Sequence, residues 1–138
     1  MKLEEEPYYT PAEPPATKSL ARLRRAAKAC KACHLWRDAT QTVFGEGAAH
    51  AKLFFIGEQP GDKEDLAGEP FVGPAGALLR KAMAEAEIDT AQVYVTNAVK
   101  HFKWVLKNKK RIHASPNRFE LEACQPWLEA EIAVVLAR

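Results

Sequence analysis

The spacing of apolar and polar positions along the chain predicts where its regular elements lie. Leu53-Phe54-Phe55-Ile56 is an unbroken apolar run that stops at Gly57, the pattern of a strand buried in a parallel sheet. A second run, Val93-Tyr94-Val95-Thr96-Asn97-Ala98, is rich in β-branched and aromatic residues and predicts another strand over about 93–98. Between them Leu78, Leu79, Ala82 and Met83 recur at helical spacing with charges interleaved, which predicts an amphipathic helix over about 75–86 lying on the sheet. Leu20 to Ala27 reads as a helix with its arginines on a solvated face. Ser115-Pro116 offers a hydroxyl cap and a first-turn proline for a last helix carrying Phe119, Leu121, Trp127, Leu128, Ile132, Val135 and Leu136 nearly to Arg138. The fold class that follows is α/β with a parallel sheet. Residues 1–17 are Pro- and Glu-rich and are expected to form a flexible N-terminal arm, because such a composition buries no core; residues 18–138 are then the domain.

The end of the first strand is where chemistry is usually built, since in open α/β sheets the ligand crevice lies outside the carboxyl ends of the strands. Gly57-Glu58-Gln59-Pro60-Gly61 forms that turn: its glycines let a substrate approach the main chain, and Glu58 and Gln59 point at the site. Taken alone, the same turn is an ordinary solvated loop.

Composition changes this picture in three places. With 138 residues, 47% hydrophobic, the chain has enough apolar matter for one globular domain, and no apolar run is long enough to span a bilayer. The start, Met1-Lys2-Leu3-Glu4-Glu5-Glu6, lacks a signal-peptide pattern, so a cytoplasmic protein is expected. The net charge of +2 is too small to announce a polyanionic partner, but Lys100, Lys103, Lys107, Lys109, Lys110, Arg111 and Arg118 occur with no acid between them, which suits a phosphate track. Cys30-Lys31-Ala32-Cys33 is a CxxC that reads equally as a redox pair, half a zinc site, half an iron–sulfur site or two buried thiols. Three cysteines in all suit a reducing compartment and a metal better than a disulfide framework. Trp36, Trp104 and Trp127 read as packing aromatics.

Several motifs in one order carry a resemblance. Gly57-Glu58-Gln59-Pro60-Gly61-Asp62-Lys63-Glu64-Asp65, then Gly68-Glu69-Pro70-Phe71-Val72-Gly73-Pro74-Ala75-Gly76, closely resembles motif A of the uracil-DNA glycosylase superfamily, nearest to its family-four branch. Gln59 together with Asn97-Ala98-Val99-Lys100-His101-Phe102-Lys103 and Lys110-Arg111-Ile112-His113 is similar to the cross-linking group called UdgX. The resemblance runs from about Cys30 to the C-terminus. It implies part of a uracil-DNA glycosylase-like α/β/α sandwich containing only the N-terminal strands. It also implies a DNA repair hydrolase that cleaves the N-glycosidic bond of deoxyuridine, expected to act on single-stranded uracil-containing DNA with no membrane partner.

The roles it implies agree with residue chemistry. Such enzymes extrude the nucleotide and hold the base in a pocket, at a flipping cost of a few kcal/mol. Phe71 matches the residue that stacks on the uracil, and an aromatic face supplies roughly 1–3 kcal/mol per base. Asn97 matches the amide that reads the base edge, offering a donor and an acceptor together. Gln59 would bind the base through its backbone N–H. Gly57 and Asp62 complete the substrate-binding set. Glu58 would order water or assist the nucleophile while its charge favours the cationic sugar. His113 matches the histidine that captures the anomeric carbon, leaving a covalent protein–DNA product, and an imidazole is a competent nucleophile near neutral pH. Lys110 and Arg111, in a basic loop expected over Lys107 to His113, would hold phosphates.

For the cysteines the resemblance implies Cys30, Cys33, His101 and Cys124 as ligands of a [4Fe–4S] cluster, His101 standing where most family-four members place a cysteine. Imidazole ligation has precedent in other iron–sulfur centres, and zinc fits the same donor set by spacing. The superfamily pattern continues through two further strands and a His-Pro-Ser-like motif B, and none of the four histidines here stands in such a motif. The chain is therefore expected to correspond to the N-terminal part of a glycosylase, its rate reduced by roughly 10²–10³ for want of that donor. Two other classes compete: a noncatalytic iron–sulfur nucleic-acid-binding module or glycosylase relic, and a redox protein built on the CxxC.

Overall fold

The structure is a computed structural model that describes residues 8–137. Positions 1–7 of the anticipated arm, and Arg138, lie outside the described residues. From Tyr8 to Thr17 the chain follows a largely extended path against the body: Tyr9 pairs with Cys33 as an isolated β-bridge, and the buried Ala12 donates its N–H to Ala123 O at 2.9 Å.

The central sheet contains β1 (Glu46–Gly47), β2 (Leu53–Gly57) and β3 (Val93–Asn97) in the order β1-β3-β2. The two strands expected from the apolar runs are parallel neighbours, and β1 adds a short antiparallel edge. Their register carries the functional geometry. Leu53 lies beside Val93 and Gly57 beside Asn97, so both strands deliver their last residues to the same spot.

Alternation along β3 sends Tyr94 and Thr96 to one face and Val93, Val95 and Asn97 to the other. On the first side lie α1 (Leu20–Ala27) and α4 (Arg118–Val135), whose Leu23, Ala27, Ala123, Cys124 and Trp127 form the main core with Phe44, Leu35 and Val99. The larger of these apolar side chains, such as Leu23, Phe44 and Val99, each contribute about 1.5–3 kcal/mol on burial. On the other side α3 (Pro74–Glu85) contributes Leu79 and Met83 opposite Val93 and Val95. The stripe expected on α3 is narrower than its sequence suggests: Met83 is buried and Leu79 partly so, whereas Leu78 and Ala82 face solvent.

The last helix begins later than Ser115-Pro116 proposes. Asn117 caps it, accepting from Glu120 N at 2.8 Å while Glu120 Oε1 accepts from Asn117 N at 2.7 Å. This reciprocal capping box satisfies two orphan donors at once, which a lone serine hydroxyl cannot do. Phe119 and Leu121 point outward, and Ala123, Cys124, Trp127, Glu131 and Val135 face the core.

Besides β1, a short helix and a hairpin were not foreseen. A short helix, α2 (Asp62–Ala67), follows the Gly57–Gly61 turn. The basic stretch expected as a loop is an antiparallel hairpin of β4 (Trp104–Lys107) and β5 (Lys110–His113). Asn108 and Lys109, at its turn, both have left-handed φ (51° and 62°), the requirement of the tight turn that suits a twisted two-residue hairpin.

Candidate active site

At the carboxyl end of the sheet three of the anticipated residues converge. A Cβ placed on Gly57 would stand 2.9 Å from Phe71 Cζ and nearer still to Asn97 Oδ1, so the Phe71 ring and the Asn97 amide both reach over Gly57. Asn97 is 4% exposed, held between main-chain bonds that join the two strands beyond it: Ala98 N donates to Gly57 O and Val99 N to Glu58 O. Phe71 arrives from a loop in left-handed conformation (φ 55°), a strained state of order 1–3 kcal/mol for a non-glycine residue. Several contacts hold it there. Arg80 Nη1 donates to Phe71 O at 2.8 Å, and Gly76 leaves the space that carbonyl occupies, which a Cβ would fill. Glu64 ties this loop to the strand turn by accepting from Val72 N at 3.1 Å and Gly61 N at 3.0 Å. The result is a buried amide and an aromatic ring over a bare backbone, able to read one planar polar base.

The hairpin is set beside this pocket by Gln59. Its Nε2 donates to Ala114 O at 2.7 Å and its Oε1 accepts from Lys103 N at 2.9 Å, so one side chain clasps both stems of the hairpin. Arg111 makes the second attachment. It binds Asp62 (2.6 Å) and the fully buried Asp65 (2.7 Å), and stacks over Phe102 and Trp104 with centroid distances of 5.2 and 5.6 Å. These carboxylates raise the guanidinium pKa above its ordinary value. Trp104 Nε1 donates to Asp38 O, which makes this tryptophan a packing aromatic. The strand period of two puts His113 on the same face of β5 as Arg111, which reaches the two carboxylates of α2, and His113 is exposed. Glu58, also exposed, sits at the end of β2, and Lys110 is exposed near the turn. Arg111 and Asp62, anticipated as contacts to DNA and base, are here engaged with one another.

A sequence model described as Uracil DNA glycosylase superfamily matches residues 44–138, which contain the pocket, the hairpin and α4. The chain belongs to the uracil-DNA glycosylase superfamily. It is 36% identical over 121 residues to the type-4 uracil-DNA glycosylase of Sulfurisphaera tokodaii, covering 87% of this chain and 52% of the relative. To the type-4 uracil-DNA glycosylase of Thermotoga maritima it is 37% identical over 108 residues (78% and 53%), and to that of Saccharolobus solfataricus 38% over 104 residues (75% and 45%). The chain thus spans about half the length of the curated relatives it matches.

Away from the pocket, this superfamily member gathers its three thiols. Cys33 and Cys124 are buried and Cys30 is half-buried in the same apolar cluster, none in a disulfide. Burial raises the Cys33 pKa, and pushes that of Cys124 up to about 12 against the opposing pull of the Lys100 charge. The nearby Cys30 adds to both shifts and Cys33 adds to that of Cys124, so the two buried thiols would ionise together only beside a bound cation. That donor chemistry fits a soft metal or cluster. His101 stands apart: its Nε2 is 2.9 Å from Thr42 Oγ1, and burial holds its pKa down at about 4 with Asp65 acting against. Among the described residues no group of three or more His, Cys, Asp or Glu side chains is arranged to hold a metal ion.

Sequence reasoning missed three supporting residues. Asp65 accepts from Thr40 N at 2.8 Å as well as binding Arg111. Its signal was available, because Asp62 and Asp65 lie three apart and share one side of a helical turn. Glu131 is wholly buried with Lys100, accepts from Tyr94 Oη and Thr96 Oγ1, and helps burial hold the Tyr94 hydroxyl protonated. Lys100 Nζ also donates to Asn97 O, and its main-chain N–H donates to Cys124 Sγ at 3.3 Å, so it joins the thiol cluster to the pocket strand. Glu120 likewise accepts from Lys103 and faces His34. Helical spacing on α4 marks positions 120 and 131 as inward, but it names no partner for an acid there.

Proposed function

We propose that this chain removes uracil from DNA and, in the manner of the cross-linking group, retains the sugar on His113. The observation that carries the reading is the convergence of the Phe71 ring and the Asn97 amide over Gly57, beside a hairpin that Gln59 clasps next to His113. The amide supplies the paired donor and acceptor that a uracil edge requires, and the ring supplies a stacking face. Single-stranded DNA is the favoured substrate, since a base outside a duplex costs least to extrude.

As the N-glycosidic bond opens, its electron pair leaves with the uracil and the sugar becomes oxocarbenium-like. Glu58, exposed at the mouth, opposes that positive charge. The lone pair of one His113 nitrogen then forms the bond to C1′. The proton on its other nitrogen passes through water to the uracil anion, so the products are free uracil and a neutral covalent adduct. Gln59 acts by fixing the hairpin; Asp62 acts through Arg111.

Cys30, Cys33 and Cys124, joined by His101 after its ring leaves Thr42, would hold a [4Fe–4S] cluster. When bound, it ties the CxxC turn to α4 and to the segment leaving β3, serving as structural support. Purified protein with a brown chromophore and iron matched by acid-labile sulfide would support this, and stoichiometric zinc would overturn it.

The deciding experiment incubates the chain with a single-stranded oligonucleotide carrying one deoxyuridine and resolves the products on a denaturing gel. A shifted band that requires both uracil and His113, absent with thymine and in His113→Ala, is the expected result. Absence of both the band and alkali-labile sites, with the protein folded, would instead leave a binding module.

A further inference from the structure

The hairpin has a second face that the proposed reaction does not use. Cross-strand register puts Trp104 and Arg111, which contact the body, on one face together with the exposed Leu106 and His113, and Val105, Lys107, Lys110 and Ile112 on the opposite face. On that outer face Val105 and Ile112 are directly paired and are 54% and 42% exposed. Next along the hairpin, Lys107 stands directly opposite Lys110, with Lys109 between them in the turn. Like charges at paired positions repel, and a lysine at left-handed φ adds backbone cost, so this cationic tip works against the hairpin's own stability. Its neighbours do not compensate. Arg111 is bound by Asp62 and Asp65, and among the described residues no carboxylate pairs with Lys107, Lys109 or Lys110.

An exposed apolar pair framed by three uncompensated ammonium groups, on the reverse of a strand that bears a candidate nucleophile, fits one kind of occupant. We infer that the outer face of the hairpin is a second contact for the same single-stranded DNA. The lysines take phosphates, and Val105 and Ile112 seat the sugars or bases of nucleotides flanking the one in the pocket. The chemistry follows from charge complementarity to a polyanion and from apolar contact with unstacked nucleotides. The inference rests on the uracil reading only for where the strand comes from.

Salt dependence tests it. Binding of a deoxyuridine oligonucleotide and a thymine control is titrated between about 50 and 200 mM salt by fluorescence anisotropy, all in a His113→Ala background so that no adduct forms, for the parent chain, the triple variant Lys107→Gln/Lys109→Gln/Lys110→Gln, and Val105→Ser/Ile112→Ser, each checked for an unchanged melting temperature. Three phosphate contacts at about 0.7 each should make the triple variant's log–log slope shallower by about 2, shrinking its affinity loss across that range by roughly 20-fold. The serine pair should lose several-fold affinity at every salt with its slope unchanged. A parent-like slope in the triple variant overturns the inference. A shallower slope with both oligonucleotides, but no preference for uracil in the parent, upholds this surface while removing the uracil reading.

Discussion

Around the carboxyl end of β3 the polar side chains are buried, each of Thr96, Asn97, Lys100 and Glu131 no more than 4% exposed, and Thr96, Lys100 and Glu131 satisfy one another. The β4–β5 hairpin, by contrast, stands on the body through Gln59, Arg111 and Trp104, and carries most of its charge into solvent. One region fixes a recognition surface by close packing, where every displaced atom is felt. The other holds a reactive group on a projecting element whose position depends on a few polar contacts, the low-stability end of the structure from which moving parts are drawn. Recognition and capture are therefore separable: damage to the first should cost stability, and damage to the second should cost chemistry.

Glu131→Ala should break the first region most severely. It strands the Lys100 ammonium in the interior, where removing one partner of a buried pair costs about 3–5 kcal/mol. Against a net domain stability of about 5–15 kcal/mol, that should appear as a large loss in denaturant unfolding. The double variant Lys100→Met/Glu131→Leu should recover most of it, since apolar side chains of similar volume remove the stranded charge. A single variant as stable as the parent would show that the interior ion pair does not brace β3.

Gly57→Ala probes the pocket with a smaller change. The added methyl meets the Phe71 ring at 2.9 Å and the Asn97 amide more closely, so about 1–3 kcal/mol of overpacking should fall on the groups that read the base. Binding of uracil-containing over thymine-containing DNA should decline more than binding of either to the cationic hairpin. Equal losses on both oligonucleotides would mean that Gly57 does not border the base.

How legible each region was follows the same division. The parallel pair β2 and β3 could be read from two apolar runs, and their shared terminus from the rule that sites lie at carboxyl ends of strands. Phe71 and Asn97 were drawn from motif resemblance, and their meeting over Gly57 needed the register, which no single run of residues contains. The hairpin was misread as a loop because Trp104-Val105-Leu106-Lys107 and Lys110-Arg111-Ile112-His113 are short and charged, and the turn residues Asn108-Lys109 lack the glycine that usually marks such a turn. Arg111 and Asp62 were assigned to DNA and substrate from the motif resemblance, which shows each charge but not that the two pair with one another. The same limit hid Lys100 and Glu131, 31 residues apart in sequence with the whole hairpin between them, yet paired in the interior.

Gln59→Ala addresses the second region. It removes two hydrogen bonds, each worth about 0.5–1.5 kcal/mol, from the stems of the hairpin while leaving the sheet intact. Amide exchange should rise across residues 103–114 with little change in the melting temperature, and adduct formation should slow while discrimination between uracil and thymine persists. Gln59→Glu sharpens the point: its carboxylate still accepts from Lys103 N but cannot donate to Ala114 O, so it should loosen the stem next to His113 in particular. Loss of base discrimination in either variant would place Gln59 in recognition and erase the division between the regions.

The smallest expected effect has the opposite sign. Lys109 holds φ 62°, a conformation that costs a residue with a Cβ about 1–2 kcal/mol and glycine far less. Lys109→Gly should relieve that strain and one term of the lysine repulsion at the tip. The gain is partly cancelled by the greater freedom glycine brings to the unfolded chain, leaving about 0.5–1 kcal/mol of local stability. Amide exchange at the turn should slow, while binding to single-stranded DNA should weaken and its salt slope become shallower by about 0.7, the share of one phosphate. A hairpin that gains rigidity while losing DNA would show that its tip is composed for the polyanion at the hairpin's expense. If Lys109→Gly leaves binding unchanged, the strain at this turn has no ligand to account for it.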